Sequence, residues 1–451
     1  TDLLFRHKFA KKGRTLSVDA KENYNENTTD GNFFSVLQDT VASTPSFVTR
    51  QLKQNYTSSL AFSGRATYTE PLSKKVYTEV SYGLTVNNSL ARNLSFDTAV
   101  SGAYGDDPNR LFSSNFRYDV LTNAGGLSFK FVYTKFNFSV GSDVSKANYV
   151  QTDLLNGDTT NTYSFLNLFP KANFTYRFGK QTSFNINHQG KTRQPTINQM
   201  QPFQLNTDPL NITVGNPELR QEFVNQVSLR FNDYKILKSR FLWANVSFSQ
   251  VSNAISTEQT TIGGVNTTKY INVDGNYSGY GYLGYGMQLP KTDVRVGGQM
   301  NGSMFHLNNI INRQKNTSNS NSISVGPYVS YEKETKIELR WEPQVSYNTN
   351  TSTNNPVAVS YYMFTNEMSA EFQLPGKTAI GSSVDMMFRQ KTPVFTTNND
   401  VIRWNAWVEK KFLKKSQLVL RASVYDILNQ NIGFSRNGQG NMVTQNSYNT
   451  I

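Results

Sequence analysis

Side chains able to do chemistry are few in this chain, and they are scattered. His7, His188 and His306 are the only histidines and there is no cysteine, so disulfides, thiolate metal sites and iron–sulfur clusters are unavailable. The three imidazoles stand in separate segments without a serine or carboxylate in a triad-like context, which leaves nucleophilic catalysis little to build on. Residues 279–284 read Gly-Tyr-Gly-Tyr-Leu-Gly and match a dinucleotide pattern in letters. No helix follows them, and glycines inside an aromatic-alternating run are better read as relieving crowding or bending a strand. Asp106-Asp107 lacks the spacing of a calcium loop and reads as a solvated pair. What remains is charge at strand spacing: Glu338, Arg340 and Glu342, then Arg403, Glu409 and Arg421. No catalytic residue, cofactor or metal is expected, and the chain is not expected to be an enzyme.

The elements carrying those charges alternate with a period of two. From residue 337 to 347, Ile337, Leu339, Trp341, Pro343, Val345 and Tyr347 fall on one face and Glu338, Arg340, Glu342, Gln344 and Ser346 on the other, as in a β-strand. The same division separates Ile402, Trp404, Ala406 and Val408 from Arg403, Asn405, Trp407 and Glu409. It separates Leu418, Leu420, Ala422 and Val424 from Gln417, Val419, Arg421 and Ser423, and Leu242, Ala244, Val246 and Phe248 from Trp243, Asn245, Ser247 and Ser249.

Connections between such segments are alternately very short and very long. Short ones fall at 11–14, 70–75, 134–136, 178–181, 234–238, 290–293, 332–335, 375–377 and 413–415; irregular polar stretches are expected at 25–46, 105–114, 256–268, 308–321, 348–359 and 391–399. Up-and-down hairpins with tight turns at one end and long loops at the other predict an all-β, antiparallel transmembrane β-barrel, apolar toward lipid and polar toward a wet lumen. Two strands per short turn give about 18 strands, each needing roughly 9 to 11 residues to cross a bilayer. Glu338, Arg340, Glu342, Arg403, Glu409 and Arg421 then project into the lumen, as contacts for a plug or a solute or as ordinary hydrated lining.

Composition agrees. Hydrophobic content is 37%, low for a membrane protein, yet a barrel needs only every second strand residue apolar. No apolar run approaches the ~20 residues of a spanning helix. Phe5, Phe9, Tyr133, Phe136, Phe138, Tyr176, Phe178 and Phe412 sit near strand ends, where interfacial girdles belong. A net charge of +13 is spread through the short turns, as in Lys11, Lys12, Lys74, Lys75, Lys135, Lys180, Lys291, Lys333, Lys377, Lys414 and Lys415; such lysines face the periplasm or lipid headgroups, and no nucleic acid is implied. A soluble β-sandwich would expose a continuous apolar band to water.

Residues 201–222, QPFQLNTDPLNITVGNPELRQE, preceded by Arg193-Gln194-Pro195-Thr196, resemble the TonB-dependent outer-membrane receptors, in particular the large versions of Bacteroidetes-type bacteria. Arg193, Pro195, Thr196, Gly215, Asn216, Pro217, Leu219 and Glu222 match their Arg-x-Pro-[Ser/Thr] and Gly-Asn-Pro-x-Leu features; Gly215 and Pro217 read foremost as turn and strand-entry residues. The 11–14 turn and the strand end at 424–431 are similar as well. The resemblance implies a 22-stranded barrel in a bacterial outer membrane, importing a scarce solute captured by long outer loops. It implies as partners outer-membrane lipid, a plug domain of the same parent chain and the TonB system acting through that plug, with a surface lipoprotein as a further candidate. Residues 1–451 are expected to form one barrel domain, incomplete at both ends and without the plug. A passive pore or a surface scaffold that presents its loops is the alternative.

Overall fold

The computed structural model describes residues 1–451 apart from 38–46, 99–102, 156, 201–203, 206–210, 236–238, 335, 393–399, 414–416, 431, 440–441 and 450–451. The first strands are β1 (Asp2–Lys8), β2 (Thr15–Leu37), β3 (Phe47–Pro71), β4 (Val76–Asp97), β5 (Ser114–Val132), β6 (Phe136–Asp153), β7 (Thr159–Arg177) and β8 (Thr182–Arg193). A single helical turn, α1 (Ile197–Met200), precedes β9 (Gln204–Leu205) and β10 (Asn211–Val214), then β11 (Glu222–Lys235) and β12 (Arg240–Ser252). There follow β13 (Ala254–Ile262), β14 (Val265–Val273), β15 (Asn276–Gln288), β16 (Val294–Ile311), β17 (Gln314–Lys333) and β18 (Ile337–Ser352). β19 (Asn355–Leu374), β20 (Thr378–Arg389), β21 (Val401–Phe412) and β22 (Leu418–Val424) complete one sheet; β23 (Ile432–Gln439) and β24 (Met442–Asn449) form a separate hairpin.

Of the 22 strands in the sheet, β9, β10, β13 and β14 lie in long connections; the other 18 pair antiparallel with their neighbours along the chain. Among the described residues β1 pairs only with β2 and β22 only with β21.

Register carries the period of two across this wall. Directly paired residues share a face, so Leu339 is continued by Tyr331 and Ala370, and Arg340 by Ser330 and Ser369. Leu60, Val80, Leu121, Val144, Leu168, Leu229, Val246, Leu283, Val325, Val345, Ile380 and Trp404 all reach the same outward side and are exposed there. In water such a belt would be an aggregation surface; in a bilayer it is the lipid contact. On that face at the short-turn end, the rings of Tyr133 and Phe136 stack at 4.6 Å, Phe136 meets Phe174 at 6.3 Å, Tyr176 meets Phe178 at 4.7 Å and Phe178 meets Phe231 at 6.3 Å. This continuous row is an interfacial girdle.

Long connections depart from expectation. Of the stretches expected to be irregular, 308–321 is the paired end of β16 and β17, turning at Asn312 and Arg313 with φ of 50° and 65°; 256–268 is the β13–β14 hairpin, turning at Gly263–Gly264. Two successive positive φ values are the mark of the twist-matched hairpin turn. β2 likewise runs to Leu37, and β18 and β19 stay paired to Ser352 and Asn355. β3 reaches 25 residues and β4 22, roughly twice what a bilayer crossing needs. Asn, Ser and Thr there look like loop composition because both faces are wet once a strand has left lipid, which erases the alternation while the backbone remains paired. Residues 105–113 are irregular as expected. The 393–399 part of the last stretch and parts of the turns at 234–238, 332–335 and 413–415 lie outside the described residues.

Candidate functional site

Buried side chains gather on the inner face of the wall, where the segment between β8 and β11 folds back against it. Tyr118 and Tyr149, on β5 and β6, are 7% and 2% exposed, and with Ala147, Met200 and Leu219 they form an apolar cluster. Local chemistry explains how Met200 and Leu219 get there. Thr196 and Gln199 form a reciprocal cap on α1, the Gln199 side chain accepting from the Thr196 N–H at 2.9 Å while the Thr196 hydroxyl accepts from the Gln199 N–H at 3.4 Å. Asn216 Oδ1 accepts from the Glu218 N–H at 3.0 Å, which tightens the turn that delivers Leu219, and Asn216 Nδ2 donates to the Tyr270 carbonyl at 2.9 Å.

Both ends of the segment are tied at the wall. Arg193 at the end of β8 pairs with Glu222 at the start of β11, in register and charge-paired. Glu222 is 2% exposed and its other oxygen accepts from the Ile255 N–H at 2.6 Å, so one carboxylate joins β8, β11 and the base of the β13–β14 hairpin. Pro195 and Gly215 are buried and Pro217 half-buried beside this latch. All eight motif residues thus lie in or beside one infolded segment, and their contacts within the chain are structural.

Roofed by 194–198, a cavity of about 550 Å³ opens along the inner face of β2 to β6. It is walled mainly by Asn, Ser and Thr side chains with Tyr118 and Tyr149 at one side.

The charged residues expected at the lumen face do lie on the inner face, but the structure does not gather the six into one site. Glu338, Arg340 and Glu342 line a second cavity of about 320 Å³ near the short turns, with Trp243, Tyr282, Tyr328 and Glu332. Arg340 donates to Glu342 at 2.7 Å, and Trp243 stacks on Tyr282 at 4.0 Å above Gly284, where an added Cβ would come within 2.7 Å of the indole. Gly284 therefore relieves crowding, as read from its neighbours. Arg403, Glu409 and Arg421 lie three and four strands away, roughly 15 to 20 Å at ordinary strand spacing. There Arg403 faces Asp385 at 3.8 Å, and Arg421 sits 3.9 Å from Glu409 and over the Trp407 ring at 4.1 Å.

Between the two groups register places acids that single-strand reading missed: Glu342, Glu367 and Asp385 in one row ending at Arg403, and Glu338 beside Glu371. Carrying the inward parity of β18 across two more hairpins would have found them. The histidines stay apart on β1, β8 and β16; His306 stacks on Tyr277 at 4.5 Å and bonds Asn319 at 2.7 Å.

Residues 7–451 match the model described as the outer membrane protein beta-barrel family. No curated protein sequence matches the chain. Among solved structures, the copper transporter OprC superposes with a TM-score of 0.55 at 11% identity, over 94% of this chain and 65% of its own. P. aeruginosa FpvA, solved with bound pyoverdines, gives 0.49 at 12% identity over 88% of this chain and 53% of its own. At 11% identity the likeness to OprC is one of fold, and the chain spans less than two thirds of either protein.

Proposed function

Because this chain belongs to the outer membrane protein β-barrel family, we propose that it forms most of the wall of a plugged outer-membrane importer that captures a solute at its long-strand end. The observation that carries this reading is the 18-strand wall whose two edge strands, among the described residues, each have a single neighbour. Lipid tolerates no open sheet edge, and we read the closed barrel as one with more strands than these. That moves it out of the 16- to 18-strand class that leaves an open water channel and toward the 22-strand transporters whose lumen is plugged. We assign the remaining strands to the parent chain, together with a plug seated against the inner face, and the pull on that plug to the TonB system. The acidic rows and the Glu338–Arg340–Glu342 group, close to the short turns, suit contact with such a plug better than with a solute arriving from outside. Non-enzymatic transport is the corollary.

Planar-bilayer recording separates this from a passive pore. The full parent protein is expected to stay electrically closed, and removal of the segment that precedes the barrel to produce a large steady conductance. Steady conductance from the intact parent protein would contradict the importer and support the pore.

A further inference from the structure

We propose that Lys74, Lys75, Lys135 and Lys180, at the short-turn rim of β3 to β8, form a docking surface for anionic phospholipid in the membrane leaflet nearest those turns. The surface is on the outside of the wall, so it serves an importer and a pore alike. Its first support is charge without compensation. Residues 71–78, 129–142 and 172–182, which make the three turns and the strand ends beside them, contain no Asp or Glu. All four lysines are exposed, and among the described residues none has a carboxylate within ion-pairing distance. The turns on either side are built differently. Glu70 takes Lys11 at 2.6 Å and Arg14 at 2.7 Å, and Asp233 takes Lys235 at 3.2 Å and Arg240 at 3.1 Å. Carboxylates thus stand among the rim cations on both flanks and are missing between them.

Position is the second support. The Val132 N–H donates to the Lys75 carbonyl at 2.8 Å and the Arg177 N–H to the Lys135 carbonyl at 2.7 Å. Backbone pairing therefore runs up to the turns and holds the lysines at one height, with successive turns two strands apart, roughly 10 Å at ordinary spacing. Against them lies the outward aromatic row of Tyr133, Phe136, Tyr176 and Phe178, and Lys75 Nζ stands 5.1 Å from the centre of the Tyr133 ring. Such a row marks the boundary between hydrocarbon and headgroups. A lysine one turn beyond it lays its stem along the rings and its ammonium among the phosphates. A phosphodiester with a net negative charge complements four open cations; a zwitterionic headgroup brings a cation of its own and gains less. An acidic soluble protein would meet the turns from the water side alone and would leave the rings beside them unused. Lipid fits both.

The test is lipid binding to the full parent protein, purified in a neutral detergent and titrated with phosphatidylglycerol or phosphatidylcholine of the same acyl chains. Native mass spectrometry counts the lipids bound. The first phosphatidylglycerol is expected to bind roughly 5- to 30-fold more tightly than the first phosphatidylcholine, the worth of one or two lysines at an anionic surface. Replacing all four lysines by glutamine should bring the ratio to about one, with phosphatidylcholine binding unchanged. Lys75→Gln and Lys135→Gln, made singly, should lower it in part, which reads the surface even where the quadruple variant fails to refold. Lys11→Gln and Lys315→Gln, the first already paired with Glu70 and the second at the far end of the strands, should keep the native ratio. Equal binding of the two lipids by the native protein would overturn the proposal and leave the rim to an acidic protein. A native ratio in the quadruple or both single variants would overturn it too, as would an equal loss in Lys11→Gln and Lys315→Gln, which would make net charge rather than this rim the cause.

Discussion

Replacing Val384 by arginine should all but abolish folding into bilayers, while the same replacement at its neighbour Ser383 should be tolerated. Both lie near the middle of the 12-residue β20, at the same depth and one residue apart, so the comparison isolates the face. Val384 pairs with Met368 and Trp404 on the outward side, and an arginine there enters hydrocarbon at a cost of ~2–4 kcal/mol, roughly a 30- to 900-fold loss in the folding equilibrium. Ser383 pairs with Ser369 and Asn405 on the inner side, diagonal to Glu367, Glu371 and Arg403 and two residues from Asp385 on its own strand. An arginine at that position loses one hydrogen bond from Asn405 at 3.2 Å and gains three acidic neighbours and one basic one, Arg403, in water, for a net effect of about 1 kcal/mol or less. Folding yield into lipid vesicles, read by the gel mobility of the unheated protein, reports the difference. Equal penalties at the two positions would show that the wall does not separate lipid from lumen.

The second large effect should come from Glu222, the carboxylate that holds the infolded segment. Glu222→Ala leaves the Ile255 N–H without its acceptor and Arg193 without its partner. Arg193 has 67% of its side chain in solvent, so its share of the pair is screened and small. Stranding the buried N–H costs more, ~1–3 kcal/mol. Amide exchange at Ile255 and along 211–222 should quicken roughly 5- to 150-fold, with exchange in β15 to β20 unchanged. Glu222→Gln keeps an acceptor for Ile255 and should recover most of the protection. An alanine variant with native exchange at Ile255 would show that the latch does not hold the segment.

How far the sequence could be read depended on where each strand stood. Across the bilayer, alternation is imposed by two different solvents, and the faces assigned to Leu339 and Arg340, to Trp404 and Arg403, and to Leu420 and Arg421 are the faces these residues occupy. The nine short turns pinned the count of 18 wall strands for the same reason. Beyond the membrane the two solvents become one, so 308–321 and 256–268 read as loops though they are hairpins. The candidate site was harder. Arg193 and Glu222 were visible as a motif, but their pairing across β8 and β11, and the descent of Met200 and Leu219 onto Tyr118 and Tyr149, are contacts between residues distant in sequence, 82 positions for Tyr118 and Met200. Nothing local announces them. Arg340 and Arg403 looked like members of one group because only parity was legible; the strands between them set the separation.

These 451 residues contain no cysteine, so single cysteines placed among them, read on intact cells with a membrane-impermeant thiol reagent against the parent protein without them, make the most direct test. The long-strand ends should face outward, so Lys315→Cys on the β16–β17 hairpin and Lys269→Cys on β14, both exposed, should label at once. Lys74→Cys, Lys135→Cys and Lys180→Cys, exposed in the short turns, should stay silent until the envelope is opened, because those turns face the periplasm. Prompt labelling of the three short-turn positions from outside, with Lys315→Cys and Lys269→Cys silent, would invert the wall and remove the long-strand end as the place of capture.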